Sequence, residues 1–186
     1  THAEVHLDGE SDPEKSRAAL RVIARASQQL SSMLDDLLYL SRSDADALAP
    51  KKTAFDLEDL LEETLEGFQP LAAKAGVEIE LVRSGPMKLQ GDPSQIARLF
   101  GILIDNALRH GNEGRLDVRI ERRRSQVLVS VEDGGPGISA DLLPRVFDRF
   151  VRGEAAHKRH AEGHGLGLSI AQSIVQSHGG SLVLSR

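Results

Sequence analysis

Two glycine-rich segments constrain this chain more than any other stretch: Asp133-Gly134-Gly135-Pro136-Gly137-Ile138 and Gly163-His164-Gly165-Leu166-Gly167-Leu168. They bracket a polar, charged span from Ser139 to Glu162, and the second runs directly into an apolar helical pattern. Glycines let backbone N–H groups approach phosphate oxygens closely, and a helix that begins there adds the positive end of its dipole. The layout is that of a nucleotide site with a mobile cover. Two other phosphate-binding turns fail on the residues. A dinucleotide-binding turn follows a strand, whereas Glu154–Glu162 is not strand-like, and the Gly-Lys-Ser/Thr of a P-loop is absent.

The 186 residues suffice for one ordinary domain and a smaller attachment. Hydrophobic residues make up 40% but aromatic residues only 3%, so the core must be built from Leu, Ile, Val and Ala. With no Cys, disulfides, thiolate metal sites and cysteine nucleophiles are excluded, which is compatible with a reducing compartment. A net charge of −5 argues against a nucleic-acid partner. The local exception, Arg119, Arg122, Arg123 and Arg124, lies between strand-like runs Leu116–Glu121 and Gln126–Glu132 and reads as the solvated end of a hairpin. No apolar run approaches a membrane span, so no membrane contact is expected of this stretch. The abrupt start at Thr1 and the end inside strand-like Ser181–Ser185 suggest an excerpt of something longer.

Thr1 to Leu7 reads as the end of one helix, and Asp12-Pro13 as the N-cap and first position of the next, which runs without Gly or Pro to about Asp46. Leu20, Ile23, Ser27, Leu30, Leu34 and Leu37 alternate spacings of three and four as in a heptad seam, widened by Ala19, Ala26, Met33 and Leu38. A single helical hairpin cannot bury such a stripe, so a homodimer completing a four-helix bundle is expected; the alternative is packing on the chain's own globular domain. Residues 1–47 form this helical part, 48–53 a linker, and 54–186 the second domain. There, Thr53–Phe55 reads as a short strand, Asp56 caps a helix ending at Gly76, Val77–Val82 alternates as a half-buried strand, and Met87–Gln90 forms another. Asp92 and Pro93 open the next helix, with Gln95 placed to complete a capping box and Ile96, Leu99, Phe100, Leu103 and Ala107 as its buried stripe. Ile102, Asn106, Arg109 and His110 share a second face, and Gly111 ends the helix. The final helix, with Ile170, Ala171, Ile174 and Val175 inward, stops at Gly179-Gly180 before a last strand.

Five segments stand in the order and spacing found in bacterial sensor histidine kinases: Gly91-Asp92-Pro93, Asp105-Asn106-Ala107-Leu108-Arg109-His110, Asp133–Ile138, Val146-Phe147-Asp148-Arg149-Phe150 and Gly163–Leu168. Leu34–Leu40 likewise resembles the end of their dimerisation helix. The resemblance covers nearly the whole chain. It implies the ATP-binding catalytic domain of the Bergerat (GHKL) type: an α/β (α+β) two-layer sandwich, one mixed sheet covered on one face by helices, preceded by an α-helical dimerisation segment. It also implies ATP and Mg²⁺ as cofactors and transfer of the γ-phosphoryl to a His on the dimerisation domain, then to an Asp of a cognate response regulator. The fragment would be cytoplasmic and the full-length protein anchored in the inner membrane.

By the same resemblance Asn106 ligates Mg²⁺ through its neutral carbonyl oxygen, and Arg109 and His110 face phosphates; these three are the candidate catalytic residues. Asp133 accepts from the adenine amine, which selects ATP over GTP. Gly135, Gly137 and Ile138, then Phe150 and Arg152, then Gly163, Gly165, Leu166, Gly167 and Leu168 complete the nucleotide site. Phe147 and Phe150 read as lid anchors, Arg149 and Arg152 as groups able to meet phosphates. His157, His160 and His164, with Glu154 and Glu162 nearby, have metal-like spacing but sit in a lid that must open; they read better as exposed lid residues, with Lys158 or Arg159 available to the γ-phosphate.

Two departures matter. Ile102 stands where many family members carry a polar Asn and can neither ligate Mg²⁺ nor donate to phosphate. The phosphoacceptor context His-Glu/Asp-x-x-x-Pro is not found at His2 or His6, so this stretch is expected to bind nucleotide without labelling itself, and the family's closing strand hairpin is also lacking. Rival readings are a kinase-deficient nucleotide-binding dimerisation module and another ATPase of the same fold, such as an anti-sigma-factor serine kinase.

Overall fold

In a computed structural model the residues described are 13–45, 49–83, 85–111, 114–124, 126–153 and 163–184. The expectations for Thr1–Leu7, Asp12, His2 and His6, and for Glu154, His157, Lys158, Arg159, His160 and Glu162, lie outside them. The elements are α1 (Pro13–Asp44), β1 (Thr53–Asp56), α2 (Leu57–Ala75), β2 (Val77–Val82), β3 (Lys88–Gly91), α3 (Pro93–His110), β4 (Gly114–Arg123), β5 (Gln126–Asp133) and α4 (Gly167–Ser177), with a short 3-10 turn at Leu143–Arg145. Among the described residues no helix is long and apolar enough to cross a membrane.

Side-chain caps set the starts of the two central helices. Asp56 accepts the N–H of Glu58 at 3.0 Å and also that of Met87 at 3.2 Å, so one carboxylate starts α2 and holds the approach to β3. Gly76 closes α2 in the left-handed conformation, φ 66°, which only glycine adopts without strain. At α3, Asp92 Oδ1 accepts from the N–H groups of Ser94 and Gln95 and from the Ser94 hydroxyl, and Oδ2 accepts the Lys51 N–H at 3.1 Å. The reciprocal capping-box bond expected of Gln95 is not made: the Asp92 N–H donates to His178 Nε2 at 3.0 Å, and Gln95 Oε1 lies 3.4 Å from the Tyr39 hydroxyl.

The strands form two sheets rather than one. β1 pairs antiparallel with β3, while β2, β4 and β5 form a mixed sheet in which β4 runs parallel to β2 and antiparallel to β5. Alternation gives this sheet two unlike faces. Leu116, Val118 and Ile120 of β4 are buried under the helices with Ile79, Leu81, Val129 and Val131 beside them. On the other face Arg115 pairs with Asp117 and Glu80, Arg119 with Asp117, and Arg123 with Glu121. Two of the four clustered arginines are thus committed to carboxylates of their own strand. Residues 181–184 form no ladder: Leu182 packs on the core but Val183 points outward, because alternation makes a strand only where a neighbouring strand takes its N–H and C=O groups.

α3 packs against α2, α4 and β5. Its buried residues are Leu99, Phe100, Ile104, Ala107 and Leu108, with Ile96 and Leu103 only half-buried. Leu99, Phe100 and Ala107 of the expected stripe are thus buried, and Ile104 and Leu108 join them because the helix is covered from three sides rather than one. The C-terminal end of α1 also joins this core, with Leu40 buried and Met33, Leu37 and Tyr39 packed against it. Leu37, assigned by spacing to the seam, therefore faces the chain's own globular part, while Leu20, Ile23, Leu30, Leu34 and Leu38 remain exposed.

The Asp92 carboxyl is held below its ordinary value of 3.8, first by the Ser94 hydroxyl and then by the backbone donors of Lys51, Gln95 and Ser94 acting against desolvation. A depressed carboxyl stabilises the fold fully above its unfolded value and loses that contribution as pH falls through the folded one. Asp92→Ala should therefore lower the unfolding free energy by ~1–2 kcal/mol at neutral pH. Urea titrations should show the gap between parent and variant closing in acid, below the ordinary carboxyl range.

Candidate functional site

Strand register aims the first candidate. Asp133 pairs across β4 with Leu116, which pairs with Ile79 of β2, so Asp133 belongs to the row that faces the helices, at the end of the sheet beside the C-terminus of α3. The approach there is tight. A Cβ on Gly135 would lie 2.6 Å from Asp133 Oδ1, 2.9 Å from the His110 carbonyl oxygen and 3.0 Å from Gly111 Cα, so only glycine fits. Asp133 Oδ1 accepts the Gly135 N–H at 2.7 Å, which orients the carboxylate. Gly137 turns the chain with φ 72°, and Ile138 is half-buried behind it.

α3 contributes the second group. Asn106 is half-buried on its last turns. Arg109 Nε donates to Asp105 Oδ2 at 2.7 Å, an i,i+4 pair, so its guanidinium is already oriented by a neighbouring carboxylate. His110 is the exposed last residue of the helix. Ile102 lies one turn before Asn106, and its Cγ2 is 3.1 Å from where a Cβ on Gly167 would stand. Gly167 is the first residue of α4. The apolar Ile102 thus packs on the start of the second glycine segment, and glycine at 167 allows that contact.

The second glycine segment forms the opposite wall. No side chain caps the N-terminus of α4 among the described residues; Leu166 at the cap is buried and Leu168 half-buried, so the first-turn N–H groups are left for another acceptor. Gly163 is exposed. Gly165 has φ 71°, and a Cβ on it would lie 2.9 Å from Phe150 C and from the Val151 carbonyl oxygen. Its own carbonyl accepts the Phe150 N–H at 2.9 Å, tying the second glycine segment to the chain around Phe150. Phe150 does this through its backbone, at φ 64°, while the residue itself is 54% exposed; Val146 is buried and Phe147 half-buried. Arg152 is half-buried beside this crossing. The structure therefore brings Asp133 and Gly135 to the end of α3, Gly165 to Phe150 and Val151, and Gly167 to Ile102.

Sequence reasoning missed the contacts that seat α1 on this unit. Arg149 donates to both carboxylate oxygens of Asp44, at 2.6 and 2.8 Å, and so is engaged by α1. Arg98 donates to Asp36 at 2.7 Å and stacks over the Tyr39 ring at 4.4 Å, and the Ser43 and Ser173 hydroxyls are hydrogen-bonded. Leu34–Leu40 was legible as a helix end, but nothing in its spacing shows which of its faces meet the rest of the chain. A cavity of about 420 Å³ lined by Tyr39, Ala49, Lys51, Asp92, Ser94, Gln95 and Arg98 lies at this junction, away from the glycine segments.

Residues 91–186 match the family described as histidine kinase-, DNA gyrase B-, and HSP90-like ATPases, and the chain belongs to that family. It is 35% identical over 158 residues to the sensor histidine kinase CusS of Escherichia coli strain K12, covering 84% of this chain and 33% of CusS. The signal transduction histidine-protein kinase BaeS of the same strain is 35% identical over 155 residues, covering 83% of this chain and 33% of BaeS. The chain thus spans about a third of the length of these relatives. The solved structure of the Acinetobacter baumannii histidine kinase AdeS superposes with a TM-score of 0.74 at 25% identity, covering 95% of this chain and 80% of that one.

Replacing Gly165 by Ala should destabilise the Phe150–Gly165 contact by ~1–3 kcal/mol, since alanine at this φ is strained and its Cβ meets backbone atoms. Hydrogen exchange at the Phe150 amide, whose acceptor is the Gly165 carbonyl, should accelerate in the variant.

Proposed function

We propose that the chain is the ATP-binding kinase core of a two-component sensor histidine kinase, with residues 1–47 from the dimerisation domain, 48–53 a linker and 54–186 the catalytic domain. The observation that carries this reading is the convergence of three groups: the oriented Asp133 carboxylate, the end of α3 bearing Asn106, Arg109 and His110, and the uncapped start of α4 behind Gly165 and Gly167. Asp133 Oδ1 is occupied by the Gly135 N–H, which leaves Oδ2 to accept from an exocyclic amine, and so favours adenine over guanine. The α4 N-terminus suits a phosphate chain. Among the described residues no group of three His, Asp or Glu could hold a metal alone, so Mg²⁺ would be held by Asn106 together with nucleotide phosphates, as this ion prefers.

The protein's part in phosphoryl transfer is then positioning and charge stabilisation. Gly135, Gly137 and Ile138 shape the adenine side, and Phe150, Arg152, Gly163, Gly165, Leu166, Gly167 and Leu168 the phosphate side. The exposed leucines of α1 serve a homodimer, a second protein carrying an acceptor Asp receives the phosphoryl group, and the whole protein is a sensor anchored in the inner membrane with this part in the cytoplasm.

Calorimetric titration tests the site. The parent should bind ATP, more tightly with Mg²⁺, and Asp133→Asn should weaken binding about 5- to 150-fold, the equivalent of ~1–3 kcal/mol, because an amide turned to accept from Gly135 presents a second donor to adenine. No binding by the parent would sink the proposal. Ile102 of α3, which packs on the start of α4 and offers no polar atom to Mg²⁺ or phosphate, favours one other reading, a nucleotide-binding module without transfer. A longer chain bearing the acceptor His should take up acid-labile label from γ-labelled ATP; absence of label would favour that module.

A further inference from the structure

His178, just past the end of α4, joins that helix to the start of α3. Its Nδ1 lies 2.8 Å from the Ile174 carbonyl oxygen, and its Nε2 accepts the Asp92 N–H at 3.0 Å. Both partners have fixed roles, since a carbonyl only accepts and a backbone N–H only donates. The ring is therefore the tautomer with its proton on Nδ1. The Ser177 hydroxyl donates to the same Ile174 carbonyl at 2.8 Å and adds only lone pairs toward Nδ1. Gly91 makes room for the ring: a Cβ there would stand 3.0 Å from His178 Cδ2 and 3.3 Å from Nε2.

A second close contact between the same helices is Gly167 against Ile102. From Asp92 to Ile102 is ten residues, roughly 15 Å of helix, and from Gly167 to His178 is eleven, roughly 16 Å. The helices therefore run antiparallel and are pinned at both ends of matched spans. One pin is an apolar contact that tolerates sliding; the other is a hydrogen bond to a buried N–H that does not. Sliding would move Asn106 and the α4 N-terminus relative to each other.

We infer that His178 is a positioning residue for the nucleotide site, clamping α3 and α4 in the register that sets Asn106 against the phosphate-binding start of α4; the inference rests on the kinase-core reading above. The side chain stands at the far end of both helices and touches no part of the site itself. Its effect is transmitted through the Asp92 N–H.

The test compares the parent chain with His178→Leu, which fills the space without an acceptor, and His178→Gln, whose side-chain oxygen can take the Nε2 role. Long-range proton–nitrogen correlation spectra, recorded where imidazole is neutral, should show the Nδ1 proton in the parent. His178→Leu should raise the Kd for Mg-ATP about tenfold, well below its melting temperature, and speed exchange of the Asp92 amide, while His178→Gln stays within about twofold of the parent. Should His178→Leu fail to fold, Gly91→Ala displaces the ring by another route and should weaken Mg-ATP in the same direction. A proton on Nε2 would overturn the clamp. Unchanged Mg-ATP affinity in His178→Leu, or in Gly91→Ala if the first variant does not fold, would reduce His178 to a structural cap. Failure of the parent to bind ATP would overturn the kinase-core reading instead, and the tautomer and the Asp92 amide would then decide the clamp alone.

Discussion

The N-terminus of α3 is the joint on which the molecule depends. The Asp92 carboxylate accepts from Lys51, Ser94 and Gln95, and its own N–H is taken by His178, so one buried residue gathers the approach to β1, the central helix and the end of α4. Its charge is balanced by donors rather than by a cation, which is how a buried carboxylate stays ionised in a small domain. From this joint α3 runs between α2, α4 and the sheet and delivers Asn106 to its far end.

At that far end no comparable polar joint is needed, because closeness does the work. Gly111 and Gly135 bring the end of α3 against β5, and Gly167 brings α4 against Ile102. A methyl group at Gly135 would have to displace backbone, so the site tolerates no loosening there. The ion pairs of the outer sheet face, such as Arg123 with Glu121, are solvated and contribute little to stability; they keep an otherwise bare face soluble. The contacts of Arg98 and Arg149 with α1 are different in kind, because they join segments that are far apart in the chain.

Much of the fold was legible because its signals are local. Asp56, Asp92, Gly76 and Gly111 marked helix ends through bonds spanning a few residues, and the alternation of β2, β4 and β5 marked strands. What failed was non-local. Gln95 has the right spacing for a capping box, but a histidine 83 positions away occupies the N–H it would have taken. Leu37 fits a heptad, yet the globular part claims it. Ser181–Ser185 alternates, but alternation cannot supply a neighbouring strand. The ring of Phe150 looked like an anchor, and the anchor proved to be its backbone.

The glycine segments show the division most clearly. By itself the sequence determined that helices would start at Pro93 and near Gly167, and that Asn106, Arg109 and His110 would share a helix face, since each follows from capping chemistry and helical period. Only tertiary structure decided that Asp133 faces the end of α3, that Ile102 seats the second glycine segment, and that Arg149 meets Asp44 rather than standing open. Those outcomes depend on strand register and helix packing, which are settled by the shapes of surfaces that meet across the chain.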